Sequence, residues 1–272
     1  MTSATPQQTA RHIDLTGPAL VACDVDGTLT RTGHPVTAAV RDAASAVRAA
    51  GHHIVLATGR SLVGALPVAL QLGLDDAWIV GSNGAVTAHL IDGYYQVVEQ
   101  HTVDAEAAIR VAIREAPGIR IAAEIVGDGY RVNVHFPDDQ LNGRQHAVRD
   151  LAEFWRNPTP RLALYGPEAY RLVPALVARD LTAIATRRDW VDVTGPGISK
   201  ATALGQVRVT LGVGEHNTVA IGDSENDREM LSWAANSFAM AHAPAFVIAA
   251  ADHVTGTIDD DGAAAALLSL LG

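Results

Sequence analysis

Two aspartates spaced by one residue follow an apolar run near the start of the chain. Residues 19–23 carry no charged side chain and lead into Asp24 and Asp26, which a glycine and a threonine follow. Such a run is typical of a buried strand, and open α/β sheets bind ligands beyond the carboxyl ends of their strands. Two carboxylates at that position suit a hard cation such as Mg²⁺. A solvated turn is the alternative interpretation, because Asp-Gly is a common turn dipeptide.

Three later segments also place polar groups beside apolar ones, and they make the solvated turn less favoured. They are 54–60, which ends in Thr58-Gly59-Arg60; 198–204, which contains Lys200 near the start of a predicted helix; and 219–227, which contains Asp223, Asn226 and Asp227. Two of these segments are apolar strands that end in polar residues. They therefore predict further side chains at the same edge of a sheet as Asp24.

The chain uses lysine once. Of its 20 basic residues, 19 are arginine, and Lys200 alone is lysine. Arginine is a planar fork and lysine a compact point charge, so the two are not interchangeable where space is tight. The single ammonium therefore marks the 198–204 segment as a candidate site, although survival of one lysine by chance is the competing explanation.

In order and spacing, these four segments resemble the motifs of the haloacid dehalogenase superfamily of phosphohydrolases. Within it, the chain resembles the Cof-type branch, which has a large cap domain inserted between the second and third motifs. The resemblance implies that Asp24 is the nucleophile, forming an aspartyl-phosphate, and that Asp26 is the general acid and then the base. It also implies that Thr58 donates a hydrogen bond to the transferring phosphoryl group and that Lys200 screens Asp24 from an anionic substrate.

The resemblance implies one Mg²⁺ as cofactor. Asp24, the backbone carbonyl of Asp26 and Asp223 would bind it, with Asn226 or Asp227 in support. The role of Asp227 is the least specific of these, because acidic residues are favoured in the first turn of any helix.

Candidate substrate contacts besides Thr58 and Lys200 are weaker. His34 follows the first motif, Arg60 follows Thr58, and Asn83 ends the third predicted strand. Each could contact substrate or act equally well as a hinge or cap contact. Arg187 and Arg188 could meet an anionic substrate, but exposed arginine pairs are usually solvated.

Composition excludes several classes of function. The 272 residues are 48% hydrophobic and 18% charged, enough for a sizeable core, and the net charge of −10 with no basic run argues against nucleic acid as a partner. The only cysteine, Cys23, cannot form an internal disulfide and is expected to be a buried core residue. Residues 1–17 are polar and lack the apolar segment of a signal peptide, and no apolar run is long enough to span a membrane. A cytoplasmic protein, monomeric or a small homo-oligomer, is the expectation.

The order of elements predicts an α/β fold with a doubly wound parallel-sheet core and an inserted α+β cap domain. Strands and helices alternate up to Asn83, which predicts βαβ units. From about Ala85 hairpin patterns appear, together with a helix predicted over Gln140–Trp155. We therefore predict a core of residues 1–84 and 190–272, with 1–17 as a polar tail, and a cap of residues 85–189.

The sequence predicts a Mg²⁺-dependent phosphatase that acts on small phosphorylated metabolites, with sugar phosphates as the class that the family resemblance implies. Asp26 argues against the dehalogenases, which lack this second aspartate. A sugar phosphomutase on the same residues is the nearest rival. A catalytically idle phosphate-sensing protein is a second rival of another class, although every expected catalytic residue type is present.

Overall fold

The apolar runs form strands, and the strands form two sheets. The computed structural model describes residues 13–271, so most of the predicted polar tail, including the segment judged for a signal peptide, lies outside the described residues. Within residues 13–271 the strands are β1 (Leu20–Cys23), β2 (His53–Ala57), β3 (Asp76–Gly81), β4 (Val86–Ile91), β5 (Tyr94–Gln100), β6 (Arg120–Ile125), β7 (Gly129–Val132), β8 (Arg144–Ala147), β9 (Leu162–Tyr165), β10 (Thr182–Arg187), β11 (Trp190–Thr194), β12 (Thr218–Gly222), β13 (Asn236–Ala239) and β14 (His253–Val254).

The α-helices pack on both sheets. In the same residues they are α1 (Ala38–Ala49), α2 (Leu62–Gln71), α3 (Ala105–Glu115), α4 (Val173–Val177), α5 (Lys200–Leu211), α6 (Arg228–Trp233), α7 (Ala245–Ile248) and α8 (Gly262–Leu268). None of the described helices is both long enough and apolar enough to cross a membrane.

The first sheet has eight strands in the order β14-β13-β12-β1-β2-β3-β4-β5, and the first six of these run parallel. The chain moves outward from β1 through β2 to β3 and later moves outward in the other direction through β12 to β14. The strand order therefore reverses between β1 and β12, where doubly wound sheets bind ligands. The predicted doubly wound α/β core is confirmed.

Both faces of this sheet are buried. On β1, Val21 and Cys23 pack into one apolar cluster, while Leu20 and Ala22 pack into another. Helices α1, α2 and α8 contribute to the first cluster, and α5 and α6 to the second. Continuous apolar strands are stable only when helices cover both faces, which makes β1 a rigid support for the residues that follow it.

The hairpin formed by β4 and β5 belongs to the first sheet, which corrects the expectation that it opens the cap. Strand β4 pairs antiparallel with β3, with Val86 opposite Gly81, and β5 pairs with β4 at the sheet edge. Ala88 and Leu90 pack in the same cluster as Val21. Alternation of side chains predicts a hairpin, but it does not say which sheet the hairpin joins.

The second sheet has six strands in the order β10-β11-β9-β6-β7-β8 and lies wholly between residues 120 and 194. It has its own core, which includes Ile109 of α3, Phe154 and Leu164. The helix predicted over Gln140–Trp155 is wrong, because this stretch contains β8, which pairs parallel with β7, and a 3₁₀ turn at Leu151–Phe154. Hydrogen bonds to β7 satisfy its backbone in place of helical ones.

Candidate active site

The four polar segments meet at the carboxyl ends of three neighbouring strands. Asp24 follows β1, Thr58 follows β2 and Asp223 follows β12, while Lys200 is the first residue of α5. Asp24, Thr58 and Asp223 line one cleft of about 870 Å³ between the two sheets. Parallel strands end at a common edge, which brings side chains together that lie up to about two hundred residues apart in the chain.

Lys200 is buried between two carboxylates. Its Nζ donates to Oδ1 of Asp24 at 2.5 Å and to Oδ1 of Asp227 at 2.6 Å. Ser199 caps the helix by accepting a hydrogen bond from the backbone N–H of Thr202, so α5 begins at the lysine. The single lysine therefore lies where a compact cation is needed and where the wider guanidinium of arginine would not fit in the same way.

Asp24, Asp223 and Asp227 form the one group of acidic, histidine or cysteine side chains in residues 13–271 that could hold a metal ion. One oxygen atom from each lies within 4.8 Å of the others. Carboxylate oxygens are the ligands that Mg²⁺ prefers. Oδ2 of Asp227 also accepts from the backbone N–H groups of Asp223 and Ser224, each at 3.0 Å, so Asp227 shapes the loop as well.

The electrostatics of this cluster fit a bound cation. Burial, followed by the charge of Asp227, raises the pKa of Asp24 well above its usual range, and Lys200 opposes that rise. Burial and the same neighbouring charge raise the pKa of Asp223 to about 7. Three carboxylates share one ammonium group, so the cluster is short of positive charge when all three are ionised. A divalent cation would supply that charge.

Asp26 is held by Arg60. The guanidinium Nε donates to Oδ2 of Asp26 at 2.6 Å and Nη2 donates to Oδ1 at 2.6 Å, and the hydroxyl of Thr32 donates to Oδ1 at 2.7 Å. Burial alone would raise the pKa of Asp26, but the hydrogen bonds and charge of Arg60 hold it below its ordinary value. Arg60 lines the cleft, with its fork engaged by this bidentate pair.

The remaining candidate substrate residues occupy different positions. Thr58 is buried at the base of the cleft and its Oγ1 accepts from the backbone N–H of Arg60 at 3.1 Å. His34 is exposed and lines the cleft. Asn83 is buried outside the lining residues, with its amide nitrogen on Asp192 at 3.0 Å and its amide oxygen on Asn226 at 2.9 Å.

Asn226 lies beside the carboxylate cluster, but its side chain faces other groups. Its Oδ1 accepts from the hydroxyl of Ser224 at 2.9 Å, and its amide nitrogen donates to Asn83. Asn83 has a φ of 56°, in the left-handed region, which asparagine tolerates better than most residues. The pair therefore joins the loop after β3 to the loop after β12.

Several polar residues at the site were missed by the sequence analysis. Thr28 donates to Oδ1 of Asp223 at 3.1 Å, and Nε2 of His242 lies 3.9 Å from Oδ2 of the same carboxylate. The second sheet contributes three more buried charged groups, Glu124, Arg161 and Asp192. Each of these three charged residues lies within or beside an apolar strand run, and that is the sequence signal that could have revealed them. Burial of a charged side chain is unfavourable unless the charge is paired.

Comparisons with known proteins agree with this geometry. A family model described as haloacid dehalogenase-like hydrolase matches residues 21–159 and 167–267. A phosphoglycolate phosphatase of Halorubrum lacusprofundi is 31% identical over 92% of this chain and 96% of that protein. A 5-amino-6-(5-phospho-D-ribitylamino)uracil phosphatase of Bacillus subtilis is 27% identical over 92% of this chain and 96% of its own length.

Solved structures match over nearly the whole chain. A phosphatase of the haloalkanoate (HAD) enzyme superfamily from Bacteroides thetaiotaomicron is 27% identical, with a TM-score of 0.77 and 98% of both chains covered. A HAD subclass IIB sugar phosphatase, at 24% identity and a TM-score of 0.78 over 92% of this chain and 98% of its own, shares the fold. The matched family model, the phosphatase relatives and the converging motifs lead to one conclusion: the chain belongs to the haloacid dehalogenase-like hydrolases, as a phosphatase of that family.

Proposed function

We propose that this phosphatase hydrolyses small phosphorylated metabolites, sugar or polyol phosphates in particular, through an aspartyl-phosphate on Asp24 and with Mg²⁺ as cofactor. The observation that carries the proposal is the buried Lys200 ammonium, which holds Oδ1 of Asp24 at 2.5 Å at the base of a cleft between two sheets. A carboxylate held in this way has one oxygen fixed and its other oxygen available for in-line attack on phosphorus.

Asp24 attacks the phosphorus atom, and the bond between phosphorus and the leaving oxygen breaks. Thr58, at the base of the same cleft, donates its hydroxyl proton in a hydrogen bond to an equatorial phosphoryl oxygen. Asp24 and Asp223 would hold the metal, with the backbone carbonyl of Asp26 and with Asp227 in support. When bound, the metal supplies positive charge against the phosphoryl oxygens and the clustered carboxylates.

Asp26 moves the protons. It gives a proton to the leaving alcohol in the first step and takes one from the attacking water in the second, so the enzyme returns to its starting state. Asp26 must carry a proton at the start of the first step, and it takes that proton up against Arg60, whose hydrogen bonds and charge favour the ionised form that acts as base in the second step. The bidentate bond also fixes the direction in which this carboxyl group points.

The cleft supports a hydroxyl-rich substrate rather than a small diacid. Its volume of about 870 Å³ is near the upper end for ligand pockets and far exceeds what a two-carbon phosphate requires. The second sheet and the loop before β8 line it with Gln140, Asn142, Thr186, Tyr130 and Trp190. Asn142, Thr186 and the amide N–H groups of Gln140 offer neutral hydrogen-bonding groups, while Tyr130 and Trp190 supply aromatic surface, as polyols require.

Two arginines line this side of the cleft, Arg161 and Arg187, and both are already paired with carboxylates. Arg187 donates to Gln140 at 2.7 Å and to Asp189 at 3.2 Å, and its guanidinium lies 5.1 Å from the ring centre of Trp190. A second anionic group on the substrate would have to compete with Asp189. Arg188 pairs with Glu168 and is not among the lining residues.

We further propose that the inserted cap domain lies within residues 85–189, with the second sheet as the part that covers the substrate. Because β4 and β5 extend the first sheet, the covering unit itself begins after them. We also propose that the protein acts in the cytoplasm as a monomer or a small homo-oligomer.

The test is release of inorganic phosphate from a generic aryl phosphate and from a panel of sugar, polyol and two-carbon phosphates, with Mg²⁺ and with EDTA. Asp24→Asn is expected to lower turnover by at least about a thousandfold, as loss of a nucleophile does. Asp42→Asn, an isosteric change at an exposed position of α1, is the matched control.

Three outcomes would contradict the proposal in different ways. Preference for two-carbon phosphates would refute the polyol class while leaving the mechanism. An isomerised product with a requirement for a bisphosphate activator would indicate the phosphomutase. Folded, Mg²⁺-loaded protein without turnover on any substrate would refute the enzymatic proposal and favour a phosphate-sensing protein.

A further inference from the structure

A cluster of charged side chains is buried where the second sheet meets the first. Arg161, just before β9, is 4% exposed, Glu124 of β6 is 1% exposed and Asp192 of β11 is 5% exposed. We call these three residues the docking cluster. Charged groups are almost never buried unless paired, so each needs specific partners.

The guanidinium of Arg161 is oriented by its own sheet. Nε donates to Oε2 of Glu124 at 3.2 Å, Nη1 donates to Oδ1 of Asp192 at 3.2 Å, and Nη2 donates to the hydroxyl of Tyr130 at 2.7 Å. The indole N–H of Trp190 donates to the same Oδ1 at 3.0 Å. These contacts lie wholly within the second sheet.

Each member of the docking cluster also contacts the first sheet once. Nη1 of Arg161 donates to the carbonyl oxygen of Gly59, and the amide of Asn83 donates to Oδ2 of Asp192 at 3.0 Å. The hydroxyl of Ser82 donates to Oε2 of Glu124 at 2.6 Å. All three partners lie in loops that follow β2 and β3.

These two loops support the candidate active site. Gly59 directly follows Thr58, and the backbone N–H of Asn83 donates to the carbonyl of Thr58 at 3.0 Å. The amide of Asn83 also accepts from Asn226 in the loop after β12. One guanidinium and two carboxylates of the second sheet are thus hydrogen-bonded to the two loops whose backbone positions Thr58.

We propose that Arg161 is a positioning residue for phosphoryl transfer, which docks the second sheet onto the Thr58 loop and fixes that loop in its working geometry. The inference rests on the proposed function, since it assigns Thr58 to the phosphoryl group. Four of the five N–H donors of the guanidinium are used, toward three acceptors in one sheet and one in the other. Lysine has the charge but not the fork, so it cannot reproduce this set.

The test compares Arg161→Lys with Arg131→Lys. Arg131 lies on β7 of the same sheet and donates to the carbonyl of Asn157, away from the first sheet. In the full chain with Mg²⁺ and the best substrate of the phosphate-release panel, Arg161→Lys is expected to lower kcat by at least about tenfold with KM within about threefold, because the transition state needs Thr58 more than the ground state does. Arg131→Lys is expected to retain both constants.

Hydrogen exchange separates docking from catalysis. Without substrate, Arg161→Lys is expected to speed deuterium uptake by at least about threefold in peptides that cover 58–62 and 82–86, and Arg131→Lys is expected not to. Unchanged uptake there, or faster uptake only within the second sheet, would overturn the proposal and assign Arg161 a structural role. Unchanged kcat with faster uptake would overturn the positioning claim.

Ser82→Ala provides the same comparison if Arg161→Lys does not fold. It removes one contact from the side of the first sheet and leaves Arg161 with its three acceptors in the second, and serine already has a φ of 52° there. The same uptake and kcat changes are expected, and their absence in this variant overturns the proposal. A wild-type chain without turnover refutes the proposed function, whereas the exchange comparison still decides whether the docking cluster holds the Thr58 loop.

Discussion

Replacing Lys200 by methionine would leave buried carboxylates without their cation. The Nζ of Lys200 donates to Asp24 at 2.5 Å and to Asp227 at 2.6 Å, and all three side chains are almost fully buried. Methionine matches the stem of lysine in length, so packing changes little and loss of the charge dominates. Breaking a buried ion pair by removing one partner costs about 3–5 kcal/mol. We expect the free energy of unfolding of Lys200→Met to fall by that amount at about pH 8 in EDTA.

The destabilisation of Lys200→Met is expected to be larger at high pH than at low pH. Lys200 opposes the rise in the pKa of Asp24, so its removal raises that pKa further. A carboxyl group with a raised pKa in the folded state binds a proton there more readily than in the unfolded chain, and stability falls as pH rises through that range. At about pH 5 the uncompensated carboxyl group of Asp24 takes up a proton, so the loss is expected to shrink to less than half of its value at about pH 8.

Urea unfolding of wild type, Lys200→Met and Arg41→Met at both pH values measures this loss. Arg41 is an exposed arginine of α1 whose nearest carboxylate, that of Asp42, lies 3.6 Å away, so the control should lose less than about 1 kcal/mol. A loss below about 1 kcal/mol for Lys200→Met at about pH 8, or an equal loss at the two pH values, would refute the account of the charge cluster. Added Mg²⁺ should restore part of the stability, because the metal neutralises the same carboxylates.

Three further outcomes follow from the site and its supports. Gly84→Ala should destabilise the fold by at least about 2 kcal/mol in thermal unfolding and should lower kcat. The reason is that Gly84 has a φ of 97° and that its added Cβ would lie 2.1 Å from the carbonyl oxygen of Ser199. An unchanged melting temperature would contradict this. Burial and the charge of Asp24 raise the pKa of Cys23 to about 12, so Ellman's reagent should label the thiol only after denaturation, and fast labelling of native protein would show the burial to be wrong. Because the pKa of Asp223 is about 7, calorimetric titration should find that Mg²⁺ binding releases protons and tightens from about pH 6 to about pH 8; a pH-independent affinity would argue against Asp223 as a ligand.

The structure also gives Arg60 a partner that the sequence did not indicate. Its position after Thr58 predicts either a substrate contact or a hinge or cap contact, and it lines the cleft. The bidentate pair with Asp26 spans 34 positions of chain, and no local pattern links the two residues. A contact of this kind depends on how far apart β1 and β2 end, which is a property of the sheet.

The sequence by itself determined the core strands that carry the site and the identity of the chemical groups, though not every element of the second sheet. Apolar runs before Asp24, Thr58 and Asp223 predicted buried parallel strands, and the structure confirms them as β1, β2 and β12. The single lysine marked Lys200 before any contact was known. These predictions succeed because strand burial and local turn chemistry are encoded in neighbouring residues.

Tertiary structure alone decided which strands share a sheet and which charges share a pocket. The hairpin of β4 and β5 has the alternation of any hairpin, and only its pairing with β3 places it in the first sheet. Glu124, Arg161 and Asp192 lie 37 and 31 positions apart along the chain, yet they form one buried cluster. Burial makes an unpaired charge unfavourable without naming its partner, and here the partners are chosen by the pairing of β6, β9 and β11 as neighbours in the second sheet.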